Sequence, residues 1–303
     1  MQGYANLRPG LGFQPWRAAL YYAQRIVTRP AIRGWISHGI AAAISAVHRN
    51  TGNVSLSLED AQKCSQALVS LRRDGIVGME PIPASVIQGI IEYLSDKEVI
   101  LPSGERSALS QVPADARMAS YSLECALNCP AIVSLINHRL VLHLAERYLG
   151  CAPTLSSLAV RWSFPAASGA VDTQSFHRDP DDWKFIKFFV YLTDVDPEAG
   201  PHIFVSKSHK TAGRLRERPY SPEEVEKLYG KDAVLTINGP AGTCFVADTY
   251  GVHRGAVPSK RPRLILQAQY SLLPVFSFHY QPIAASASSG VDAYVNRLLL
   301  AAP

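Results

Sequence analysis

The sequence lacks the features that would place the protein in or across a membrane. No run of apolar residues approaches the length of a membrane span, and the closest stretch, GWISHGIAAAISAVHRN, is short and contains His38 and His48. The first twenty residues lack the apolar core of a signal peptide. The five cysteines form no C-x-x-C pair, which argues against structural zinc and favours reduced thiols. These absences predict a cytoplasmic protein without an integral membrane segment.

Charged residues are also sparse, at 18% of the chain, and the 30 basic and 25 acidic residues give a formal net charge of +5. Because the excess is not gathered into one run, nucleic acid is not an expected partner. A mild positive balance could help attract an acidic small molecule. The 303 residues, 47% of them hydrophobic, suffice for one large domain with a sizeable core. The oligomeric state stays open.

The first half of the chain is predicted to be helical. Residues 1–55 are interpreted as an N-terminal helical extension, in which Arg17, Arg25, Arg29 and Arg33 form a solvated face in preference to touching a membrane surface or a partner. Ser57 is expected to cap a helix that Gly75 ends. The segments PASVIQGIIEYLSDK and PAIVSLINHRLVLHLAERYLG predict two more helices. Residues 100–125 are polar and mixed, and are expected to form an irregular connection.

After Leu155 the pattern changes to short runs rich in β-branched and aromatic residues, separated by Gly and Pro. Such runs predict an antiparallel sandwich or barrel. In KFIKFFVYL, Ile186, Phe188 and Val190 alternate with Lys187 and Tyr191. Because alternate strand residues point to opposite faces, the aliphatic face should pack beneath helices and Lys187 should point into the barrel.

The strongest chemical signal lies in FHRDP, where His177 and Asp179 stand two positions apart. At the end of a strand, both side chains would project to the same side. By itself the triplet is weak, but DTYGVHRGAVP supplies His253 between Gly251 and Gly255. Two His and one carboxylate on one face of a metal are typical of non-haem Fe(II) oxygenases.

An anion anchor is the next requirement of such a site. Arg263 opens an apolar strand ten residues after His253, and a guanidinium there could hold a carboxylate through two hydrogen bonds. Arg261 competes for the same role. Arg263 is favoured because it adjoins the strand.

FHRDPDDWKFIKFFVYLTDVDPEAGPHIFVSKSHK and GPAGTCFVADTYGVHRGAVPSKRPRLILQAQY together resemble the phytanoyl-CoA dioxygenase (PhyH) superfamily of Fe(II)/2-oxoglutarate oxygenases. The resemblance is sharpest over about 155–275, weaker from residue 57 onward, and absent from residues 1–55. It implies a mainly β fold with flanking helices, in which a double-stranded β-helix (jelly-roll, cupin-like) core follows a helical N-terminal region and residues 56–303 form a single domain. The family's metal ligands map onto His177, Asp179 and His253, and its strand arginine maps onto Arg263. Lys207 stands where the family commonly has Gly.

The resemblance implies Fe(II) as cofactor and 2-oxoglutarate and O2 as cosubstrates. The expected reaction is hydroxylation of an unactivated C–H of a small-molecule metabolite, with release of succinate and CO2. Asp179 argues against the halogenase variant, in which a small residue leaves room for a halide. The alternative is a non-catalytic cupin-like module that binds a metal or a sugar.

Further site residues follow from position. His209 and Lys187 are candidates for binding 2-oxoglutarate, although His209 could be a surface-turn residue. Lys187 could instead meet an acidic substrate, or reach solvent at the barrel rim. His202 is interpreted as structural. The candidates for substrate contact are Trp183, Asp182, Tyr191, Arg161 and Gln174. No motif identifies the prime substrate.

Overall fold

Helices dominate the first half of the chain, as predicted. The computed structural model describes residues 3–10, 12–48, 56–165, 174–213, 218–284 and 290–301. Its helices are α1 (Pro15–Ile26), α2 (Pro30–Val47), α3 (Leu58–Asp74), α4 (Ala84–Leu94), α5 (Leu123–Leu127), α6 (Pro130–Ile136), α7 (Arg139–Leu149), α8 (Pro222–Tyr229) and α9 (Ala293–Asn296). No helix in these ranges is both long and apolar enough to cross a bilayer.

Local capping chemistry explains where helix α3 begins and ends. The Ser57 side chain accepts a hydrogen bond from the Asp60 backbone N–H, and Gly75 ends the helix in the left-handed conformation at φ 85°. The single helix expected over 130–150 was wrong in one respect, because α6 and α7 are separate helices divided at Asn137 and His138. The Asn137 side chain hydrogen-bonds the Val133 carbonyl and the Asn296 side chain, which anchors the break.

The strands form two principal antiparallel sheets. The bounds are β1 (Gly3–Tyr4), β2 (Ile76–Gly78), β3 (Val99–Ile100), β4 (Arg106–Ser107), β5 (Met118–Tyr121), β6 (Thr154–Ser163), β7 (Phe185–Tyr191), β8 (His202–Val205), β9 (Val234–Ile237), β10 (Cys244–Ala247), β11 (His253–Gly255), β12 (Arg263–Ser271) and β13 (Phe278–His279). The large sheet has the order β2-β10-β7-β12-β6-β5-β3-β4, the small sheet the order β11-β8-β9, and β1 pairs with β13. This is the expected double-stranded β-helix.

Strand β7 separates two cores. Ile186, Phe188 and Val190 belong to the larger apolar cluster, which includes buried residues of helices α3 to α7. Phe189 and Tyr191 belong to a second cluster between the sheets, where they meet Phe204 of β8 and Phe245 of β10. The predicted alternation is therefore confirmed, and Lys187 lies on the face that looks into the barrel.

The connection expected to be irregular over 100–125 was wrong in part. Residues Met118–Tyr121 form β5, which pairs antiparallel with β6 and extends the large sheet. Ala119 and Tyr121 point inward and are buried. The strand has four residues, and its alternation of half-buried and buried positions is too short to be recognised in the sequence. Pairing with β6, and not amino-acid composition, therefore determines its structure.

The N-terminal helices contact the segment that follows the FHRDP motif. The sequence predicts a solvated arginine face for these helices, and that prediction was wrong for Arg33. The Arg33 side chain is 4% exposed and donates hydrogen bonds to the carbonyls of Gln24, Asp182 and Trp183. Its guanidinium also lies 4.1 Å from the centre of the Tyr250 ring. Helix α2 is therefore held to the barrel by a buried cation.

Asp182 is the acidic residue at the junction between the N-terminal helices and the barrel. Its carboxylate accepts hydrogen bonds from Gln24 Nε2 and from the backbone N–H groups of Trp183 and Leu273, at 2.7 to 3.1 Å. The residue is fully buried. Burial raises the pKa of Asp182 to about 7, although the N–H donors oppose this shift.

The raised pKa of Asp182 predicts a pH-dependent contribution to stability. The folded-state pKa lies above the unfolded value of about 3.9. The stabilising contribution of Asp182 is therefore full below about pH 3.9 and is lost as the pH rises through about 7. We expect the difference in free energy of unfolding between the wild type and Asp182→Ala to be larger at pH 5 than at pH 8 by about 2 kcal/mol. Urea denaturation at both pH values measures it.

The control for this experiment is Asp194→Ala, because Asp194 accepts one backbone hydrogen bond, from Ala241, at an exposed position. Asp194→Ala measures the effect of losing a carboxylate hydrogen-bond acceptor at a position that is not buried. A difference for Asp182→Ala that stays constant between the two pH values would contradict the raised pKa.

Candidate metal centre

Backbone pairing brings His177, Asp179 and His253 together. His177 and His253 face each other in an antiparallel bridge and exchange N–H···O bonds of 2.9 Å in both directions. The Asp179 N–H donates to the Thr249 carbonyl at 2.9 Å, two residues out of the register set by the His177–His253 pair. Since residues two apart on a strand share a face with the residue paired opposite, the three side chains converge on one point.

The ligand atoms of the three residues, which we call the triad, all lie within 4.8 Å of one another. His177 Nε2 is 3.5 Å from Asp179 Oδ1, and His253 Nε2 is 3.3 Å from Asp179 Oδ2. Each imidazole Nδ1 lies within hydrogen-bond distance of a backbone carbonyl, that of Ser175 for His177 (2.8 Å) and that of Gly251 for His253 (2.9 Å). Such bonds place the proton on Nδ1 and leave the Nε2 lone pair for a metal.

The charge state of the triad suits a divalent cation. Burial disfavours ionisation of Asp179, but Lys187 and the two histidines outweigh it and hold the pKa of its carboxyl well below the usual range. Burial, reinforced by His177, lowers the pKa of His253 and keeps that imidazole neutral. Burial opposes protonation of His177, but the carboxylate of Asp179 outweighs burial and raises the pKa of His177. Metal ligation requires one carboxylate and neutral imidazoles, so a metal that binds here would displace any proton on His177 Nε2.

A polar cavity adjoins the triad. Of the residues predicted for cofactor or substrate contact, it brings together Lys187, Arg263, Arg161 and Gln174. Its other lining residues are Met118, Ser163, Phe189, His202, Gly255, Ile265 and Gln267. Three cationic side chains around one small cavity give it a positive potential that favours binding of an anion.

The two candidate anchor arginines occupy different environments. Arg263 is buried and donates to the Gly200 carbonyl and, at 3.4 Å, to Ser163 Oγ. Its Nε has no partner, and no carboxylate within the described ranges pairs with it. Burial lowers the pKa of Arg263. Arg261 is more than half exposed and pairs with Asp196, so Arg263 is the one that faces the cavity.

The glycines beside His253 allow close packing. A Cβ on Gly255 would lie 2.9 Å from the Arg263 guanidinium, and a Cβ on Gly251 would lie 2.7 Å from the Phe204 ring. Neither glycine has a positive φ. Gly255 therefore leaves the space into which Arg263 extends.

Lys187 reaches the triad and not the solvent. Its Nζ lies 2.7 Å from Asp179 Oδ2 and 3.3 Å from Asp181 Oδ2. The side chain is buried, so both contacts form in an environment that strengthens charge interactions. A cation in contact with the carboxylate of the triad is placed to meet an anion that enters the cavity.

Four predicted residues lie outside the cavity. Asp182 and Trp183 are buried in the junction with the N-terminal helices. Tyr191 is fully buried, where its hydroxyl donates to the Ile237 carbonyl and accepts from the His202 N–H. His209 packs against Gly75, with Nε2 3.3 Å from the Arg72 carbonyl. The structure gives these side chains no direct access to a ligand in the cavity.

His202, interpreted from the sequence as structural, lines the cavity. Its ring stacks on that of His253 at a centroid distance of 5.5 Å and an interplanar angle of 23°. Its Nε2 is buried and has no partner among the described residues. Burial, with His253 and Arg263 nearby, holds the pKa of His202 well below its usual range, so the ring is neutral. The available signal was its alternation with Phe204 in HIFV, which places both on the inner face of β8.

Comparison with known proteins shows the fold and finds a family model that matches part of the chain. A model of the phytanoyl-CoA dioxygenase (PhyH) family matches residues 126–264. A comparison with curated protein sequences gives no match. Among solved structures, the non-heme alpha ketoglutarate dependent epimerase SnoN from nogalamycin biosynthesis is 22% identical, with a TM-score of 0.52, and the match covers 69% of this chain and 81% of SnoN.

Two further solved structures share the fold. HygX from Streptomyces hygroscopicus, with nickel and 2-oxoglutarate bound, is 15% identical with a TM-score of 0.50, over 80% of this chain and 97% of HygX. EctD from S. alaskensis, with 2-oxoglutarate and 5-hydroxyectoine, is 18% identical with a TM-score of 0.50, over 84% of this chain and 89% of EctD. At these identities the likeness concerns the fold.

Proposed function

Since a model of the phytanoyl-CoA dioxygenase family matches residues 126–264, we propose that the protein is an Fe(II)- and 2-oxoglutarate-dependent dioxygenase that hydroxylates an unactivated C–H of a small-molecule metabolite. The observation that carries the proposal is the convergence of the triad beside a buried guanidinium. Two imidazoles and one carboxylate are the ligand set that such enzymes use for iron. HygX and EctD are described with 2-oxoglutarate bound, which supports the same cosubstrate here.

His177, Asp179 and His253 would hold the iron through the two Nε2 atoms and the carboxylate. When bound, the iron supplies the oxidising chemistry with O2 and 2-oxoglutarate, which becomes succinate and CO2. The backbone bridge between the two histidines holds both rings in place before any metal arrives. The carbonyl groups that accept from Nδ1 fix the orientation of each ring.

Arg263 would hold the distal carboxylate of 2-oxoglutarate. Its planar guanidinium can donate two parallel hydrogen bonds to a carboxylate. The residue is buried, lines the cavity with the triad, and has no acidic partner among the residues described. An uncompensated buried cation is costly, and an anionic cosubstrate would offset that cost.

Lys187 would contact 2-oxoglutarate or an acidic group of the prime substrate, and Arg161 and Gln174 would line the substrate's position. The cations around the cavity support an acidic substrate. His202, with its unpartnered Nε2, adds a polar group that sequence reasoning did not assign. Phe189 and Ile265 supply the apolar part of the wall.

Lys187→Met tests this assignment. We expect the KM for 2-oxoglutarate or for the prime substrate to rise about tenfold, because a charge-assisted hydrogen bond is lost. Metal affinity, measured by titration with Co(II), should not fall, since the change removes a positive charge 2.7 Å from Asp179. Weaker anion binding with intact metal binding therefore identifies Lys187 as an anion contact.

The matched control is Lys184→Met. Lys184 belongs to the same segment but lies over the Tyr148 ring and is absent from the cavity lining. Unchanged affinity for both cosubstrate and substrate in Lys187→Met would remove the assignment.

The proposed function is tested by adding Fe(II) and 2-oxoglutarate without oxygen, followed by oxygen. We expect a weak visible charge-transfer band, and then release of succinate that depends on iron across a metabolite library. A product heavier by one oxygen atom supports hydroxylation, whereas a product of unchanged mass supports epimerisation, the activity named for SnoN. Absence of both the band and succinate would favour a non-catalytic cupin-like binding module.

A further inference from the structure

Helices α1 and α2 expose an apolar surface and carry their charges on the inner side. The exposed positions of α2 are Ala31, Ile32, Trp35, His38, Gly39, Ala42, Ala43, Ala46 and Val47, and none of them is Asp, Glu, Lys or Arg. The exposed positions of α1 are Pro15, Trp16, Ala19, Leu20, Tyr22 and Ile26. We call these residues the α1–α2 face.

The arginines of the two helices are turned toward the protein. Arg33 is buried on carbonyl oxygens, Arg25 donates to the Pro180 carbonyl, and Arg17 donates to the Phe278 carbonyl. A surface helix ordinarily buries its apolar side and exposes its charges. Here Ile36, Ile40 and Ile44 of α2 pack against the core, and the exposed side of the helix is uncharged and apolar as well. A helix that is apolar on both sides indicates that its outer face is covered by a partner.

The exposed apolar area matches that of a stable protein interface. Trp35 is 85% exposed, Ile26 63% and Trp16 56%, and the other large apolar members of the face are Val47, Tyr22, Ile32 and Leu20. With large side chains of about 150 to 250 Å² each, these fractions leave roughly 800 Å² uncovered. That is about the share of one subunit in a standard interface, and more than the largest apolar patch of a typical monomer.

The spacing within α2 fits a second helix. Trp35, Gly39, Ala42 and Ala46 recur at intervals of four, three and four residues, which is the spacing of a helix–helix seam. One member is large and three are small, and no atom lies within 4 Å of a Cβ built on Gly39. If two copies of this seam run antiparallel, each Trp35 meets the small residues of the opposite helix.

From this self-complementary seam we propose that the α1–α2 face is a homodimer interface, in which helices α2 of two copies of this chain pack antiparallel about a two-fold axis. A membrane surface is the less suitable occupant, because helices that lie on bilayers carry Lys or Arg beside their apolar side. The exposed positions of α1 and α2 include no Lys or Arg, and Arg17, Arg25 and Arg33 are engaged with the barrel. Arg29, which directly precedes α2, is the exposed base of the connection between the two helices. A second copy supplies the same uncharged apolar surface.

The test is the molar mass of the full chain in solution, by light scattering and sedimentation from about 1 to 100 µM. We expect a dimer for the wild type and a monomer for Trp35→Glu, which places two charges in the seam. Ala42→Trp fills the small part of the seam without adding charge, and is expected to raise the dimer dissociation constant at least tenfold. Val69→Glu is the matched control, because Val69 is an exposed apolar residue of helix α3.

Circular dichroism and thermal melting establish that each variant is folded. A third variant, Trp35→Gln, keeps the proposal falsifiable if Trp35→Glu does not fold, and it should also weaken the dimer. A wild type that is monomeric over the whole concentration range would overturn the proposal, as would a dimer unaffected by both Trp35→Gln and Ala42→Trp. A monomer that binds vesicles containing phosphatidylglycerol, but not phosphatidylcholine alone, would assign the face to a membrane instead.

Discussion

Asp179→Ala is expected to abolish turnover of 2-oxoglutarate, with a loss of at least about 10³-fold in succinate formation. The change removes the carboxylate of the triad and leaves two imidazoles, which bind a divalent cation far more weakly. It also removes the nearer of the two carboxylates that contact the buried Lys187 ammonium, at 2.7 Å, and leaves Asp181 at 3.3 Å. The less fully balanced positive charge would repel a metal cation from the same place. Titration with Co(II) should therefore show loss of metal binding together with loss of activity.

Asp181→Ala is the matched control for Asp179→Ala. Its carboxylate lies 3.3 Å from Lys187 Nζ, but Asp181 is not among the residues whose ligand atoms converge. Metal binding should survive in this variant. Asp179→Ala that retains metal affinity, or Asp181→Ala that loses it to the same extent, would place the carboxylate ligand elsewhere.

Arg263→Met is expected to raise the KM for 2-oxoglutarate about 100-fold or more, because a buried carboxylate loses a bidentate cation. The anaerobic charge-transfer band should disappear at concentrations of 2-oxoglutarate that saturate the wild type. Arg263→Lys should restore part of the affinity, since an ammonium keeps the charge but cannot form the planar fork. Metal binding in the absence of 2-oxoglutarate should be unchanged, since Arg263 supplies no ligand.

Arg261→Met controls for general loss of positive charge at the start of β12. Arg261 is exposed and paired with Asp196, so its removal should leave the KM for 2-oxoglutarate within about twofold of the wild type. Equal effects of the two substitutions would contradict the assignment of Arg263. Thermal melting separates lost binding from lost folding, and replacing an unpaired buried cation by an apolar side chain of similar length should cost little stability.

The strands and the triad were predictable because local patterns determine both. Apolar runs divided by Gly and Pro gave the order of the main strands, and the two-residue step from His177 to Asp179 placed both on one face. His253 followed from its glycine neighbours and from the family resemblance.

The burial of Asp182 and Trp183 could not be predicted from the local sequence. In the sequence they look like a polar loop at the mouth of the site, because two consecutive aspartates are seldom buried. Their burial depends on Gln24 and Arg33, which come from helices far away along the chain. The place of His202 beside the cavity could not be predicted for a related reason, since it depends on the pairing of β8 with β11. Contacts between segments that are distant in sequence determine the surroundings of these residues, and the local sequence pattern does not indicate such contacts.

The antiparallel bridge between His177 and His253 has a consequence for how the chain folds. These residues belong to segments far apart in sequence, and two of the three proposed ligands sit on opposite sides of one backbone pairing. A metal ion bound there would act as a crosslink that closes the long loop between them. Closing a long loop removes conformational freedom from the unfolded chain, as a disulfide does. The metal should therefore strengthen the barrel where His177 pairs with strand β11, so that metal loading and folding stability rise together.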